Sequence, residues 1–257
     1  MKVVILCGGQ GTRLREETEY KPKPMVEVGG KPILWHIMKL YSSYGFNDFV
    51  LCLGYKHEVI REYFLNYRGM NTDVVVSLAS GEVQVLKKAY DEDWNVTLAY
   101  TGEETKKGAR LKMVSPYLGG ERFMVTYGDG VTDLDIRALV ASHEDRGLAV
   151  TFTGVHPISR FATVEQDAAD RVINWAEKRP LEGYINGGFL VMEPEVLEYI
   201  TGDVEWEDEP MTTLAQEGKV AMYKHAGFWH CMDTYRDYML LNQMWGTGKA
   251  PWKVWSD

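Results

Sequence analysis

The sequence has few cysteines, no excess of positive charge and no long apolar run. No stretch approaches the roughly 20 apolar residues needed to cross a bilayer, and only a short apolar run precedes the first glycines, so we expect no membrane span and no signal peptide. Cys7, Cys52 and Cys231 form no C-x-x-C pair, which fits a reducing cytoplasm. The net charge of −9 argues against nucleic acid or an anionic membrane as a partner.

Several common functional motifs are also missing. The six histidines have no regular metal-ligand spacing, no nucleophilic triad is apparent, and we do not expect His230 and Cys231 to bind zinc. The string G-x-x-x-x-G-K-[ST] does not occur. A G-x-G-x-x-G fingerprint starting at Gly9 would need a third glycine where Leu14 stands. The sequence therefore excludes a Walker A loop and the usual dinucleotide-binding motif.

A phosphate-binding pattern is present near the start of the chain. Residues 3–6 are an apolar run typical of a buried strand, and the loop GGQGTR follows at residues 8–13. Glycines let a ligand approach the backbone closely, so that successive amides can point at one phosphate. The strings KPKPM and GGKP follow, and a simple tight turn would not explain all three together. These features indicate a polyphosphate site.

The hydrophobic pattern predicts an α/β fold. Strands at 3–6, 49–53 and 74–78 alternate with helices at 32–44 and 57–67, which is the βαβαβ pattern of a parallel sheet. Pro32 is expected as the first residue of its helix. Further strands are predicted at 123–126 and 148–155, and Asp133 is expected to cap a helix at 134–144. Ligands of such sheets bind at the carboxyl ends of the strands, where the glycine loop lies.

The second half is richer in short β-like runs. Runs at 162–165, 172–175 and 185–192 predict a meander attached to the sheet, with helices at 194–200, 209–217 and 233–245. We expect one domain, residues 1–257, with a Rossmann-like, mostly parallel sheet flanked by helices. Residues 1–155 would form a nucleotide-binding half, and residues 156–257 a small β-rich subdomain with the C-terminal helices.

Two aspartates are candidates for one metal site. Asp129 lies between glycines directly after an apolar run, and Asp233 precedes a predicted helix in the string FWHCMDT. The structural alternatives are a Gly-Asp-Gly turn and a helix N-cap. Together the two carboxylates would suit Mg²⁺, which takes one or two carboxylates along with phosphate oxygens.

These strings resemble the sugar-nucleotide pyrophosphorylases, a nucleotidyltransferase family, over almost the whole chain. Members join a nucleoside triphosphate to a sugar 1-phosphate and release pyrophosphate. The resemblance implies a GT-A-like nucleotidyltransferase fold, a sugar-binding role for the β-rich subdomain, and Mg²⁺ shared by Asp129 and Asp233. No nucleophilic side chain is needed, because a phosphate monoester is already an anion at pH 7. The catalytic residues that the resemblance implies are Arg13, Lys23, Asp129 and Lys178.

The family pattern also implies the binding residues. Those for the nucleotide are Leu6, Gly8, Gly9, Gln10, Gly11, Thr12, Arg13, Lys23, Glu104, Thr105, Ala109, Arg110 and Gly128. Those for the sugar phosphate are Glu177 and Lys178, which match an E-K-P motif, and Asn186 and Gly187. A charged turn is the alternative for the first pair. Arg179 before the proline, and Ala162 where relatives usually carry glycine, depart from the pattern.

Residues 101–110, with the sequence TGEETKKGAR, are informative about which nucleotide base is recognised. The form T-G-x-x-T-x-x-G-x-R resembles the cytidylyl-transferring members, whereas thymidylyl- and uridylyl-transferring members carry a Q-x-x-P-x-G-x-A type of segment. Cytosine presents an amino donor where uracil and thymine present an acceptor, so its pocket needs acceptors such as Thr105 or the carbonyls near Glu104. A polar lead-in to a helix is the alternative.

The resemblance therefore implies CTP and a sugar 1-phosphate as substrates. Glucose 1-phosphate is favoured by resemblance alone, as are a homo-oligomer and a place in deoxysugar or polysaccharide precursor synthesis. An enzyme of the same fold that uses dTTP or UTP, and a non-catalytic sensor of nucleotide sugars, are the alternatives. The joint presence of Arg13, Lys23, Asp129 and Lys178 argues against the sensor, because a sensor could lose any of them.

Overall fold

A computed structural model describes residues 1–87, 92–157, 162–176 and 183–256, except for the side chains of residues 12, 15, 16 and 87. Its strands, in chain order, are β1 (Lys2–Leu6), β2 (Glu27–Val28), β3 (Lys31–Pro32), β4 (Asp48–Leu53), β5 (Asp73–Val76), β6 (Val83–Lys87), β7 (Asn95–Tyr100), β8 (Phe123–Tyr127), β9 (Gly130–Thr132), β10 (Val150–Val155), β11 (Thr163–Gln166), β12 (Val172–Ala176), β13 (Ile185–Met192), β14 (Val220–His225) and β15 (Trp229–Cys231).

Helices connect and cover these strands. The α-helices are α1 (Arg15–Thr18), α2 (Ile33–Ser43), α3 (His57–Leu65), α4 (Tyr67–Met70), α5 (Lys107–Met113), α6 (Ile136–Arg146), α7 (Glu209–Gln216) and α8 (Tyr235–Gly246). Short 3-10 helices lie at Thr12–Leu14, Lys23–Met25, Ser115–Tyr117 and Pro194–Tyr199. Each helix in the described ranges is too short or too polar to cross a bilayer.

A seven-stranded sheet, in the order β14-β10-β13-β8-β1-β4-β7, forms the centre of the fold. Only β13 runs antiparallel to its neighbours β10 and β8, so the predicted mostly parallel sheet is confirmed. Alternate residues of β1 enter different cores, with Val3 and Ile5 on the α2, α6 and α8 side and Val4 and Leu6 on the α5 and α7 side. Burial on both faces explains the unbroken apolar run of this strand.

The third strand of the parallel βαβαβ unit is β7, and the prediction that residues 74–78 would supply it was wrong. β7 pairs with β4 in parallel, whereas β5 forms a separate antiparallel ribbon with β6. The side chains of Val75 and Val76 are 49% and 50% exposed. A short β-branched run favours a strand but does not specify the neighbour with which that strand pairs.

The predicted meander is corrected in the same way. β11 and β12 form a separate ribbon, but β13 lies inside the central sheet. Helix starts also differ from prediction: Pro32 is the N-cap of α2, and Asp135, not Asp133, caps α6 by accepting from the Ala138 amide at 3.0 Å. Thr234 caps α8, so Asp233 lies just before the cap. Cap positions depend on local backbone angles that sequence spacing does not resolve.

An aromatic cluster holds the C-terminal residues against α2. His36 is 1% exposed, and its Nε2 lies 2.8 Å from the Val28 carbonyl oxygen, to which it donates. Its Nδ1 accepts from the Trp252 indole at 3.3 Å, and the Trp245 ring packs edge-on 4.6 Å away. Burial lowers the pKa of His36 to about 4, so the ring is neutral near pH 7.

We expect this histidine to make folding stability depend on pH. Between pH 6.5 and 4 the unfolded chain binds a proton on His36 and the folded chain does not, so the free energy of unfolding should fall by up to about 1.4 kcal/mol per pH unit as the pH decreases. Urea unfolding of the native protein and His36→Gln at several pH values would measure this. The stability difference between the two should shrink toward pH 4.

The control is His156→Gln, a substitution of an exposed histidine. This variant should follow the native pH profile. A stability difference between native protein and His36→Gln that stays constant from pH 7 to pH 4 would contradict a neutral, buried His36.

Candidate functional site

A cavity of about 600 Å³ lies at the carboxyl ends of β1 and β8. This is the edge of an α/β sheet where ligands bind, and the volume suits a nucleotide-sized molecule. The lining comes from the loop after β1, the 3-10 helix at 23–25, the segment 103–110, the end of β8 and one acidic residue further along. These residues are Leu6, Cys7, Gly8, Gly9, Gln10, Gly11, Arg13, Lys23, Pro24, Glu103, Glu104, Thr105, Lys107, Arg110, Tyr127, Gly128, Asp129 and Glu205.

Most of the predicted nucleotide-binding residues are in this lining. Ala109 is not, nor are Asp233, Asn186 and Gly187, although Asp233 contacts Lys23 and Asn186 contacts Tyr127, both of which are in the lining. The side chain of residue 12 and both residues 177 and 178 lie outside the described part of the chain.

The sequence did not predict several lining residues, namely Cys7, Pro24, Glu103, Lys107, Tyr127 and Glu205. Tyr127 directly precedes the G-D-G string, and that position at a strand end was a usable signal. No sequence signal indicated Glu205, because it is distant in sequence from every motif and is brought to the site only when the chain folds.

Arg110 fastens three loops beneath the cavity. Its guanidinium is buried and donates hydrogen bonds of 2.7–3.3 Å to one hydroxyl and four carbonyl oxygens, those of Thr101, Gly8, Leu53, Gly102 and Glu103. A planar fork with five donors suits such a set of acceptors, which lysine could not serve. A Cβ on Gly8 would lie 2.1 Å from this guanidinium, so the close packing requires glycine there. The glycine loop and the segment 101–103 are thus held together by one side chain.

The ribbon of β9 and β15 brings the two predicted metal ligands together. Cys231 pairs with Gly130, and the Met232 amide donates to the Asp129 carbonyl oxygen at 2.8 Å. Asp129 immediately precedes β9 and Asp233 lies two residues beyond β15. Antiparallel pairing therefore places two acids that are far apart in sequence at the same end of one ribbon.

Lys23 lies between these acids. Its Nζ is 2.7 Å from Asp129 Oδ2 and 2.5 Å from Asp233 Oδ1, and Arg13 donates to the other oxygen of Asp233 at 2.9 Å. Burial alone would lower the pKa of Lys23, but the charge of Asp129 and hydrogen bonds to both acids raise it above its usual value. The lysine is therefore charged and links the two carboxylates.

The acids also form a group that could hold a metal ion. One ligand atom from each of Asp129, Cys231 and Asp233 lies within 4.8 Å of the others. Burial, followed by the charge of Asp129, raises the pKa of Cys231, so its thiol is protonated and a weak ligand. The two carboxylates supply hard oxygen donors. This donor set fits a hard divalent cation.

A pair of glycines on β13 brings Asn186 toward Tyr127. The Asn186 side chain donates to the Tyr127 hydroxyl at 3.3 Å and accepts from the Gly188 amide at 2.9 Å. Gly188 has φ +85°, and a Cβ there would lie 2.4 Å from the Tyr127 ring. Gly187 packs closely on Val155, and its carbonyl accepts from Trp229. Packing of protein groups thus already requires these glycines.

Comparisons with known proteins agree with this geometry. A family profile described as "Nucleotidyl transferase" matches residues 2–257. The chain is 50% identical to glucose-1-phosphate cytidylyltransferase of Salmonella typhi, covering 99% of this chain and 100% of the relative. It is 44% identical, with the same coverage, to a Bacillus subtilis protein named "Probable glucose-1-phosphate cytidylyltransferase". The structure of a UDP-glucose pyrophosphorylase from Acinetobacter baumanii shares the fold, with TM-score 0.69 and 16% identity over 96% of this chain and 94% of that one.

Proposed function

The chain belongs to the nucleotidyl transferase family, and we propose that it transfers CMP from CTP to α-D-glucose 1-phosphate, giving CDP-glucose and pyrophosphate. The observation that carries this proposal is the 50% identity to a glucose-1-phosphate cytidylyltransferase over the full length of both chains. The glycine loop, the acid Asp129 and the cytidylyl-type segment also line one cavity, as this reaction requires. The product would serve as a precursor of deoxysugars in surface polysaccharides such as the O-antigen.

The reaction is an in-line displacement at phosphorus. A phosphate oxygen of the sugar 1-phosphate forms a bond to the α-phosphorus of CTP, and the bond from that phosphorus to the bridging β-oxygen breaks. Pyrophosphate leaves with the electron pair. The attacking oxygen carries no proton at pH 7, so no general base is needed. The work of the protein is to align the two phosphates and to neutralise their charge.

The residues at the cavity suit these tasks. We assign the backbone amides of Gly8, Gly9, Gly11 and Thr12 to the triphosphate and nucleoside, and Arg13 to the departing pyrophosphate. Lys23 has three N–H donors; two contact the acids, and we assign the third to the α-phosphate.

The sugar side is assigned to the second half of the chain. Glu177 would hold sugar hydroxyls, Lys178 the sugar phosphate, and Asn186 and Gly187 would face the sugar. We keep the proposed division into a nucleotide-binding half, residues 1–155, and a sugar-binding part, residues 156–257. A cytoplasmic location is also proposed, because Cys7, Cys52 and Cys231 are all free thiols, as expected in a reducing compartment.

Mg²⁺ is the proposed cofactor, held by Asp129 and Asp233. When bound, it would neutralise phosphate charge and polarise the phosphorus–oxygen bonds. Lys23 and Arg13 hold the two carboxylates in place. Their contacts orient three of the four carboxylate oxygens of the pair.

The choice of nucleotide is tested by pyrophosphate release. Purified protein with glucose 1-phosphate should release pyrophosphate from CTP with a kcat/KM at least about fivefold above those for UTP and dTTP, because one mismatched base contact costs about 1–3 kcal/mol. The related enzymes that use UTP make this panel necessary. Preference for UTP or dTTP would overturn the cytidylyl assignment, and no pyrophosphate from any nucleotide would favour the sensor.

The metal site is tested by direct binding. In Asp129→Asn the affinity for Mn²⁺, measured by electron paramagnetic resonance as a substitute for Mg²⁺, should fall at least about tenfold, since even outer-shell partners of a metal contribute 10–100-fold. Turnover should fall by orders of magnitude while the protein still folds. Asp145→Asn, which changes an exposed acid on α6, is the matched control and should retain native binding. Native Mn²⁺ affinity in Asp129→Asn would refute the assignment.

We also propose a homo-oligomer. The β5–β6 ribbon and the adjoining helices leave large apolar side chains in solvent, with Leu65 76%, Met70 81% and Leu78 94% exposed. An open groove of about 610 Å³ runs between the ribbon and α4, lined partly by Val74, Val83 and Val85. Several large apolar side chains exposed on one part of the fold suggest an interaction site, and the proposed occupant is a second copy of the chain.

Sedimentation velocity measures this association. The native protein should sediment as an oligomer, and Leu78→Asp should shift the distribution toward the monomer, because a buried charge would be introduced at the contact. Val254→Asp, at a partly exposed residue near the C-terminus, is the control. A native protein that is monomeric at micromolar concentration would contradict the proposal.

A further inference from the structure

The acidic segment, residues 203–207, accepts hydrogen bonds at the amino end of α5, the helix that continues from the segment 101–110. The two are about 100 residues apart in the sequence. α5 has no side-chain cap of its own. Instead, the Lys106 amide donates to Asp203 Oδ1 at 2.8 Å and the Gly108 amide donates to the Val204 carbonyl oxygen at 2.9 Å. A Cβ on Gly108 would lie 2.6 Å from that carbonyl oxygen, so this approach requires glycine. The segment that bears on the base is therefore positioned by a part of the chain far away in sequence.

The last residue of the acidic segment makes the central contact. Glu207 Oε1 lies 2.5 Å from Lys107 Nζ and accepts from the Tyr127 hydroxyl at 2.7 Å. Lys107 also lies 3.5 Å from Glu205 and 5.5 Å above the centre of the Tyr127 ring. Although burial opposes its charge, hydrogen bonding to Glu207 raises the pKa of Lys107. Glu207 Oε1 thus connects Lys107, in the segment 101–110 assigned to the nucleotide, with Tyr127 at the end of β8.

The Tyr127 hydroxyl extends this connection to the sugar side. Besides donating to Glu207, it accepts from the Trp206 indole at 3.2 Å and from the Asn186 amide at 3.3 Å. Trp206 is 1% exposed, which anchors the network in the core. The hydroxyl has one donor and two acceptor sites, and these contacts use all three. Its position is therefore fully determined by its neighbours.

We propose that Glu207 is a positioning residue that couples the nucleotide and sugar sides of the cavity. The connection runs from Lys107 in the nucleotide segment through Glu207 and Tyr127 to Asn186. A ligand bound at one end would hold these side chains in the arrangement that the other end also needs, so the second ligand would bind more tightly. The inference rests on the proposed function, since it assigns the two ligands to the two ends of the chain.

Equilibrium binding measures this coupling without turnover. α,β-Methylene-CTP cannot be cleaved at the reacting bond, so calorimetry can measure the affinity for glucose 1-phosphate with and without it. In the native protein the analogue should strengthen sugar phosphate binding by about fivefold or more, the lower end of typical coupling. In Glu207→Gln, which keeps the shape of the side chain and loses its charge, the factor should approach one.

Two further variants keep the test independent of any folding defect in Glu207→Gln. Tyr127→Phe keeps the ring and removes the hydroxyl, and should also abolish the coupling. The double variant Lys107→Met with Glu207→Gln should show the same coupling factor as Glu207→Gln alone, because both substitutions interrupt one connection. Glu209→Gln makes the same chemical change at an exposed residue of α7 and should retain native coupling. Circular dichroism verifies folding of each variant.

The outcomes separate this inference from the proposed function. Native protein that binds a UTP or dTTP analogue instead of the CTP analogue contradicts the nucleotide assignment, and the coupling is then measured with the analogue that binds. The inference itself is overturned if native protein shows no coupling with the analogue that it binds. Native coupling in both Glu207→Gln and Tyr127→Phe would overturn it equally.

Discussion

The contact of Lys23 with Asp129 and Asp233 is the interaction on which the rest of the site depends. Two carboxylates near each other in a partly buried place repel each other unless a cation lies between them. The ammonium group, 2.7 Å from one and 2.5 Å from the other, provides that cation from the loop that follows the glycine motif. The first loop of the chain and the start of its last long helix are therefore joined through one charged group.

The sheet supplies the geometry for this contact. β1 and β8 are parallel neighbours, so the glycine loop after one and the G-D-G string after the other emerge at the same edge. The β9–β15 ribbon then returns the distant Asp233 to that edge. Arg110 fixes the loops below through five hydrogen bonds. The candidate site residues thus come mainly from connections between strands, while their spacing is set by strands that are buried on both faces.

Sequence reasoning reached those parts of the fold and site that depend on local chemistry. Apolar β-branched runs correctly indicated β1, β4, β8 and β10, and motifs indicated most of the cavity lining. The errors concern pairing: β5 was expected in the sheet, and β13 outside it. Pairing depends on which distant strand offers a free edge, and no short run encodes that. Glu207 was missed for the same reason, because its contacts to Lys107 and Tyr127 exist only in the folded chain.

The balance of charge around the cavity constrains how it can hold a triphosphate. Its described lining contains four acids, Glu103, Glu104, Asp129 and Glu205, and four bases, Arg13, Lys23, Lys107 and Arg110. Three of those bases already contact carboxylates, and the fourth donates to five oxygens beneath the glycine loop. Side chains of this lining therefore leave little positive charge in excess. In the proposed function, the remaining attraction for phosphate would come from backbone amides of the glycine loop and from a divalent cation at the acid pair, which lie at the same edge of the sheet.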